Sequence, residues 1–311
     1  MFEFGVIPEF VLGVILLIAG AWSLVHGGSR IAEAFGIPPI LVGLTIIAWG
    51  TSAPELIVSL AASMAGSPDL MLGNIVGSNL ANIGLILTTA ALLMRPPVES
   101  RLWKFDIPLL LLATFMFSIF CYTGKEIKAW EGALMMLVFA GYTYRIISNA
   151  FEKSETHDRL KGYPYWHDVL YIVAGGIGLF FGGEFVVESS IKIATKMGIS
   201  EAMIGLTIVA IGTSLPELAT TLVAAYRRET GIAIGNVVGS NMFNLLAIAG
   251  PIAVISPVEV TPGSIKFLPG MILITILLPI VIFKTDKLQR SRSVILLVAY
   301  VGTIAALIKG L

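Results

Sequence analysis

"GTSAPE" at residues 50–55 and "GTSLPE" at residues 212–217 each set hydroxyls, a proline and a carboxylate side by side within a run apolar enough to cross a bilayer. Proline has no N–H and crowds the preceding turn, so Pro54 cannot bond the carbonyl of Gly50, nor Pro216 that of Gly212. A carboxylate at the centre of a spanning helix costs roughly 2.5 to 3.5 kcal/mol or more. Lipid tolerates neither feature, and both occur twice. The two stretches therefore predict interrupted helices that line a protein interior rather than face hydrocarbon.

The surrounding chain agrees. Of 311 residues, 56% are hydrophobic and 13% charged, and the mean hydropathy is +0.90; an ordinary soluble domain is about 25% charged. The chain reads as an all-α polytopic membrane protein. Its first ten residues, MFEFGVIPEF, carry two Glu and no Lys or Arg, unlike the basic start of a cleaved signal peptide, so the first span is expected to stay in place. Cys121 is the single cysteine, which excludes an internal disulfide and a cysteine-clustered metal site. Lys plus Arg equals Asp plus Glu, 20 each, so net charge points to no partner, and no nucleic acid is expected.

Apolar runs near the spanning length of about 20 residues fall at about 10–27, 38–64, 70–94, 106–123, 129–150, 168–190, 201–226, 231–255, 267–283 and 292–309, predicting ten transmembrane helices. The odd-numbered connections hold 14 of the 20 Lys and Arg, among them Arg95, Arg101, Lys104, Arg227 and Arg228. Positive charge favours the cytoplasm, which places the odd connections inside and both termini outside, in a cell membrane. Trp103, Trp130 and Trp166, near span ends, read as interfacial anchors.

Sliding the chain against itself by 162 residues aligns 43–84 with 205–246 without a gap, with 20 of 42 positions identical. The register reaches upstream, pairing Gly13 with Gly175, Gly20 with Gly182 and Arg30 with Lys192. The chain thus divides into a first five-helix repeat at 1–151, a polar cytoplasmic linker at 152–166, and a second five-helix repeat at 167–311. Five spans per copy force the second copy to enter the membrane upside down. Such inverted-topology repeats build secondary transporters whose substrate sites lie near the midplane on broken helices.

What those breaks offer is oxygen. Carbonyls near Gly50, Thr51, Gly212 and Thr213 lose their helical partners, and Thr51 and Ser52, four and three residues before Glu55, are expected to share one helix face with its carboxylate. The next span of each half carries "GNIVGSNLAN" (73–82) and "GNVVGSNMFN" (235–244), spacing Asn74, Ser78 and Asn82, and likewise Asn236, Ser240 and Asn244, four residues apart along one stripe. That stripe serves either close helix packing through small residues or packing together with ion ligation. Carboxylates, carbonyls and hydroxyls suit hard cations, Ca²⁺ above all, which takes 6–8 oxygens in flexible geometry.

At these residues the sequence resembles the two α-repeats of the cation/calcium antiporter superfamily, in its sodium/calcium exchanger branch; the GTS-x-PE form separates it from the proton/calcium branch, which has GN-A-x-E there. The resemblance covers essentially the whole chain. It implies an antiporter, not an enzyme, with no cofactor, that exchanges Na⁺ for Ca²⁺ by alternating access. It further implies a central Ca²⁺ site between Glu55 and Glu217 with help from Thr51 and Thr213. Flanking Na⁺ sites would draw on Ala48, Ser52, Ser78, Ala210, Ser214 and Ser240. Asn82 and Asn244 stand where some relatives carry Asp, and the neutral amide there implies exchange independent of K⁺; the resemblance also implies that exchange is electrogenic.

Three other functions were weighed against this one. Proton/calcium exchange would use the same carboxylates. An intramembrane protease would need a Ser with a His or Lys base, or paired Asp, and the matched intramembrane acids here are Glu. A passive channel fits inverted repeats with broken helices less well. His26, His157 and His167 are scattered, which argues against a His metal site, and Glu184 is expected to pair with Lys192, as Glu188 does four residues before it. Nothing in the sequence sets an oligomeric state, and a monomer suffices.

Overall fold

The structure, a computed structural model, describes residues 5–96, 98–155, 165–198, 210–282 and 287–309. The first helix, α1 (Val6–Phe35), runs 30 residues and ends where Gly36 turns to φ 63°. There Gly36 and Ile37 donate to the carbonyls of Glu33 and Ala32, a left-handed closure that suits glycine. Next come α2 (Pro39–Thr51) and α3 (Ala53–Met64), bent by 45° at Ser52. The remaining helices of the first half are α4 (Pro68–Met94), α5 (Leu102–Thr123) and α6 (Ala129–Glu155). In the second half α7 (Trp166–Lys196) is followed by a helical turn at Ala210–Gly212, then α8 (Leu215–Tyr226), α9 (Thr230–Ile255), α10 (Pro262–Ile282) and α11 (Arg290–Lys309).

Among the described residues seven helices are long and apolar enough to cross a membrane, and the bent pair α2–α3 makes an eighth. Of the other two expected spans, α6 is long enough at 27 residues but interrupts its apolar run with Glu131 and Arg145. The start of the seventh, 201–209, lies outside the described residues, as does 156–164 of the linker. The expected linker begins too early: α6 continues through Glu155 and α7 already includes Trp166.

The centre of the bundle is α4 and α9, 78% and 72% buried over their most apolar windows, against 28% for α7 and 17% for α11. These two helices carry the polar stripes, so the stripes are interior. The outer helices turn apolar side chains to the surface instead.

Helices α1 and α7 occupy matching places in the two repeats and cross through glycine. A Cβ on Gly20 would stand 2.7 Å from the Leu179 nitrogen, and one on Gly175 2.5 Å from the Leu24 nitrogen, so no larger residue fits this crossing. Along the contact, Gly13 meets Gly182, Gly20 meets Gly175 and Gly27 meets Asp168. One helix advances as the other retreats. Equivalent helices running antiparallel give the repeats their opposite sense.

Contacts between connections sort by face. Two-residue strands β1 (Glu126–Ile127) and β2 (Val258–Glu259) pair antiparallel between the fourth and eighth connections, and the Thr261 hydroxyl bonds Asp69 of the second. Across the protein, Leu288 donates to the Pro96 carbonyl at 2.9 Å and Ser29 to Glu229 at 2.6 Å, joining odd connections only. Odd meets odd and even meets even, as a chain that crosses alternately from one face to the other requires. The 162-residue offset carries Val258 onto Pro96 and Glu126 onto Leu288, so one clasp is repeated on each face.

A candidate cation site at the two helix breaks

Both breaks fall on serine. Ser52 (φ −86°, ψ 9°) and Ser214 (φ −88°, ψ 7°) leave helical geometry at matched positions. Pro54 and Pro216 then sit in the first turn of α3 and α8, where a missing N–H costs nothing because that turn's amides have no helical acceptor. The proline that would wreck a continuous helix starts a new one. Glu55 and Glu217 follow in the same first turn, where the helix N-terminus favours negative charge.

Both carboxylates are fully buried. The Ser52 hydroxyl donates to Glu217 Oε1 at 2.8 Å, and the Ser214 hydroxyl to Glu55 Oε1 at 3.3 Å. This corrects the expectation that Thr51, Ser52 and Glu55 share one helix face. The break turns Ser52 away from its own Glu55, and each hydroxyl serves the acid of the other repeat. The threonines cross over as well: Thr51 Oγ1 lies 3.0 Å from Asn236 Oδ1, and Thr213 Oγ1 lies 3.2 Å from Asn74 Oδ1.

The asparagines fix the backbone behind each acid. Asn74 Nδ2 donates to the Glu55 carbonyl at 3.1 Å and to Ser59 at 2.9 Å; Asn236 Nδ2 donates to the Glu217 carbonyl at 3.3 Å and to Thr221 at 3.1 Å. Ser59 and Thr221 were not anticipated as part of the site. Their signal was available, since they are hydroxyls at matched positions four residues after each Glu. Ser78 lies 3.4 Å from Thr213 Oγ1 and Ser240 3.4 Å from Thr51 Oγ1. The Ala48 carbonyl is 3.2 Å from Thr51 Oγ1 and 3.5 Å from Ser240 Oγ, so it belongs to the same oxygen cluster. Its counterpart Ala210 opens the helical turn before the second break.

Of the expected ligands, four buried groups are left without a partner. Glu55 Oε2 and Glu217 Oε2 have no hydrogen-bond partner, and neither do the amides of Asn82 and Asn244. Asn82 begins, and Asn244 is second in, a stretch of wider π-helix, Asn82–Leu87 and Phe243–Ile248. Such bulges loosen the ladder and gather at functional sites. No spacing in the sequence announces them. The two Glu are close enough to feel each other's charge, and among the described residues no Lys or Arg pairs with either. Two buried anions and an all-oxygen surround are what a hard cation would compensate.

The remaining candidates lie elsewhere. Glu184 does not pair with Lys192, as had been expected: that ammonium sits 2.9 Å from Glu9 and 3.6 Å from Glu188. His26 meets Arg227 at 3.2 Å, His167 stacks on Trp166, and His157 lies outside the described residues. Among the described residues no three His, Cys, Asp or Glu gather as a metal cluster. Trp130 and Trp166 are exposed, 59% and 55%, as anchors should be, whereas Trp103 is partly buried against the core.

A family model described as sodium/calcium exchanger protein matches residues 7–148 and 167–309. The chain is 35% identical over 306 residues to the putative antiporter CaxA of Alkalimonas amylolytica, covering 94% of this chain and 96% of the relative. It is 32% identical over 339 aligned positions to the sodium/calcium exchanger MaX1 of Methanosarcina acetivorans, covering 96% and 97%. Among solved structures it superposes on the sodium-calcium exchanger NCX_Mj soaked with 10 mM Na⁺ and 10 mM Sr²⁺, with a TM-score of 0.85, 30% identity and coverage of 96% and 97%.

Proposed function

Because this chain belongs to the sodium/calcium exchanger family, we propose that it exchanges Na⁺ for Ca²⁺ across a cell membrane by alternating access. The observation that carries the reading is the pair of buried carboxylates, Glu55 and Glu217, each with one oxygen unpartnered and each held by a serine of the other repeat. Ca²⁺ as substrate sits between them with Thr51 and Thr213. Na⁺ occupies flanking positions formed by Ser52, Ser78, Ser214 and Ser240 with the Ala48 and Ala210 carbonyls. Neutral oxygens in those positions, including the amides of Asn82 and Asn244, accept a Na⁺ beyond the two that balance the carboxylates, which makes exchange electrogenic.

Repeats 1–151 and 167–311 supply the two halves of the site, and the positive-inside bias puts the 152–166 linker in the cytoplasm with both termini outside. Because every cross-repeat bond tying Glu55 has a partner bond tying Glu217, one arrangement and its mirror are of similar energy. That near-equality is what a carrier needs to expose the same ligands alternately to each side.

The test is ⁴⁵Ca²⁺ uptake into Na⁺-loaded vesicles containing the purified chain, with Na⁺ or choline inside. Uptake that needs the Na⁺ gradient and quickens when the vesicle interior is clamped positive is the expected result, because each cycle carries net positive charge outward. Uptake indifferent to Na⁺ but driven by a proton gradient would replace the reading with proton/calcium exchange.

A further inference from the structure

A cleft of about 250 Å³, lined mostly by apolar side chains, includes Pro54, Gly212, Thr213 and Pro216 beside the two breaks together with Glu184 and Glu188; Glu188, next to Lys192 of the sixth connection, puts one end of it toward the face of the even-numbered connections. Glu188 shares Lys192 with Glu9. Glu184 is exposed in the cleft, and among the described residues no ion pair or hydrogen bond joins it. A carboxylate within a spanning helix and without a cation partner is costly against hydrocarbon, which calls for water in the cleft. The 162-residue offset takes Glu184 to Trp22 and Glu188 to His26. On that opposite face the Arg227 guanidinium lies 4.6 Å over the Trp22 ring and 3.2 Å from His26 Nδ1. The same place in the fold is negative on one face and cationic on the other.

We propose that Glu184 is the recruiting carboxylate of the outer access cleft: it draws Na⁺ and Ca²⁺ from the outside medium toward Thr213 and Glu55 without ligating them in the central site. The inference rests on the exchange reading above. Its physical basis is ordinary attraction between a unit charge and a cation in a wet, low-dielectric-walled cleft, which raises local cation concentration and is screened by salt.

The experiment compares right-side-out and inside-out membrane vesicles carrying wild type, Glu184→Gln and Glu184→Lys. At about 10 mM ionic strength, Glu184→Gln raises the half-saturating external Ca²⁺ roughly three- to fivefold, and Glu184→Lys raises it further. At about 0.5 M the curves converge. Saturated flux and the half-saturating concentration from the cytoplasmic face stay at wild-type values. Unchanged external curves in both variants, or equal shifts on both faces, would overturn the proposal. A wild type with no Na⁺-dependent flux would instead sink the exchange reading, and the cleft can still be tested without transport. The thiol of Glu184→Cys should react from outside with a membrane-impermeant sulfonate reagent, and failure to react would show that the cleft is not wet and end the proposal.

Discussion

The two break regions, Thr51 to Asn82 and Thr213 to Asn244, are identical at fourteen positions, yet they are not in the same state. Thr51 and Asn236, bonded to each other, are fully buried, whereas Thr213 and Asn74, bonded in the matching way, are only partly buried. Thr213 of the half-open pair lines the cleft that also holds Glu184, whereas neither residue of the sealed pair does. Symmetry of sequence therefore does not impose symmetry of access. Two nearly equal halves can hold one site closed on one side and open on the other, and exchanging their roles gives the opposite state.

The largest effects should come from the acids, where the halves ought to be equivalent. Glu55→Gln and Glu217→Gln each remove one of two charges from an uncompensated buried pair; breaking such sites costs roughly 3–5 kcal/mol, so Ca²⁺ flux in vesicles should fall at least about a hundredfold for each. Loss in only one variant would break the equivalence. The serines should separate the halves. Ser52 bonds Glu217 at 2.8 Å but Ser214 bonds Glu55 at 3.3 Å, and a hydrogen bond to a charged group contributes about 1.5–3 kcal/mol. Ser52→Ala should raise half-saturating Ca²⁺ by about tenfold or more and Ser214→Ala by less, with folded yield unchanged.

A smaller effect tests the face that carries Trp22 and Arg227. Arg227→Ala removes a cation over Trp22, a contact contributing about 0.5–2 kcal/mol. It should loosen the inner side, lowering half-saturating Ca²⁺ measured from the cytoplasmic face a few-fold and leaving the external value alone. The smallest expected effect is none: replacing all K⁺ by choline should not change wild-type flux, because the Asn244 amide offers K⁺ one oxygen and no charge. K⁺ stimulation appearing in Asn244→Asp would tie that difference to one side chain, and loss of wild-type flux in choline would contradict it.

Much of this architecture was legible because it is written twice. The prolines at 54 and 216 located the breaks, and the 162-residue offset exposed the repeat from which opposed halves follow. What stayed hidden depends on how the copies meet. Spacing within one helix suggested that Ser52 serves Glu55, whereas the bend sends it to Glu217. The π-helical stretches at Asn82 and Asn244 also leave no compositional mark in the sequence. Glu184 was misassigned for a similar reason: Lys192 is near it in sequence, but the Glu9 carboxylate comes from α1 to claim that ammonium.

The glycine crossing of α1 and α7 bears on how such a chain arose. Two equivalent helices meeting antiparallel, with Gly13 on Gly182 and Gly20 on Gly175, form the contact that two identical short chains would make if one had inserted right way up and the other inverted. A five-helix ancestor of this kind could complete an oxygen site only by pairing with its own upside-down twin, so its Lys and Arg had to be shared evenly between the two faces. One chain that carries both copies is free of that constraint: each half can hold its own charge bias and its own vestibule, and the matched positions 22 and 184 are tryptophan and glutamate.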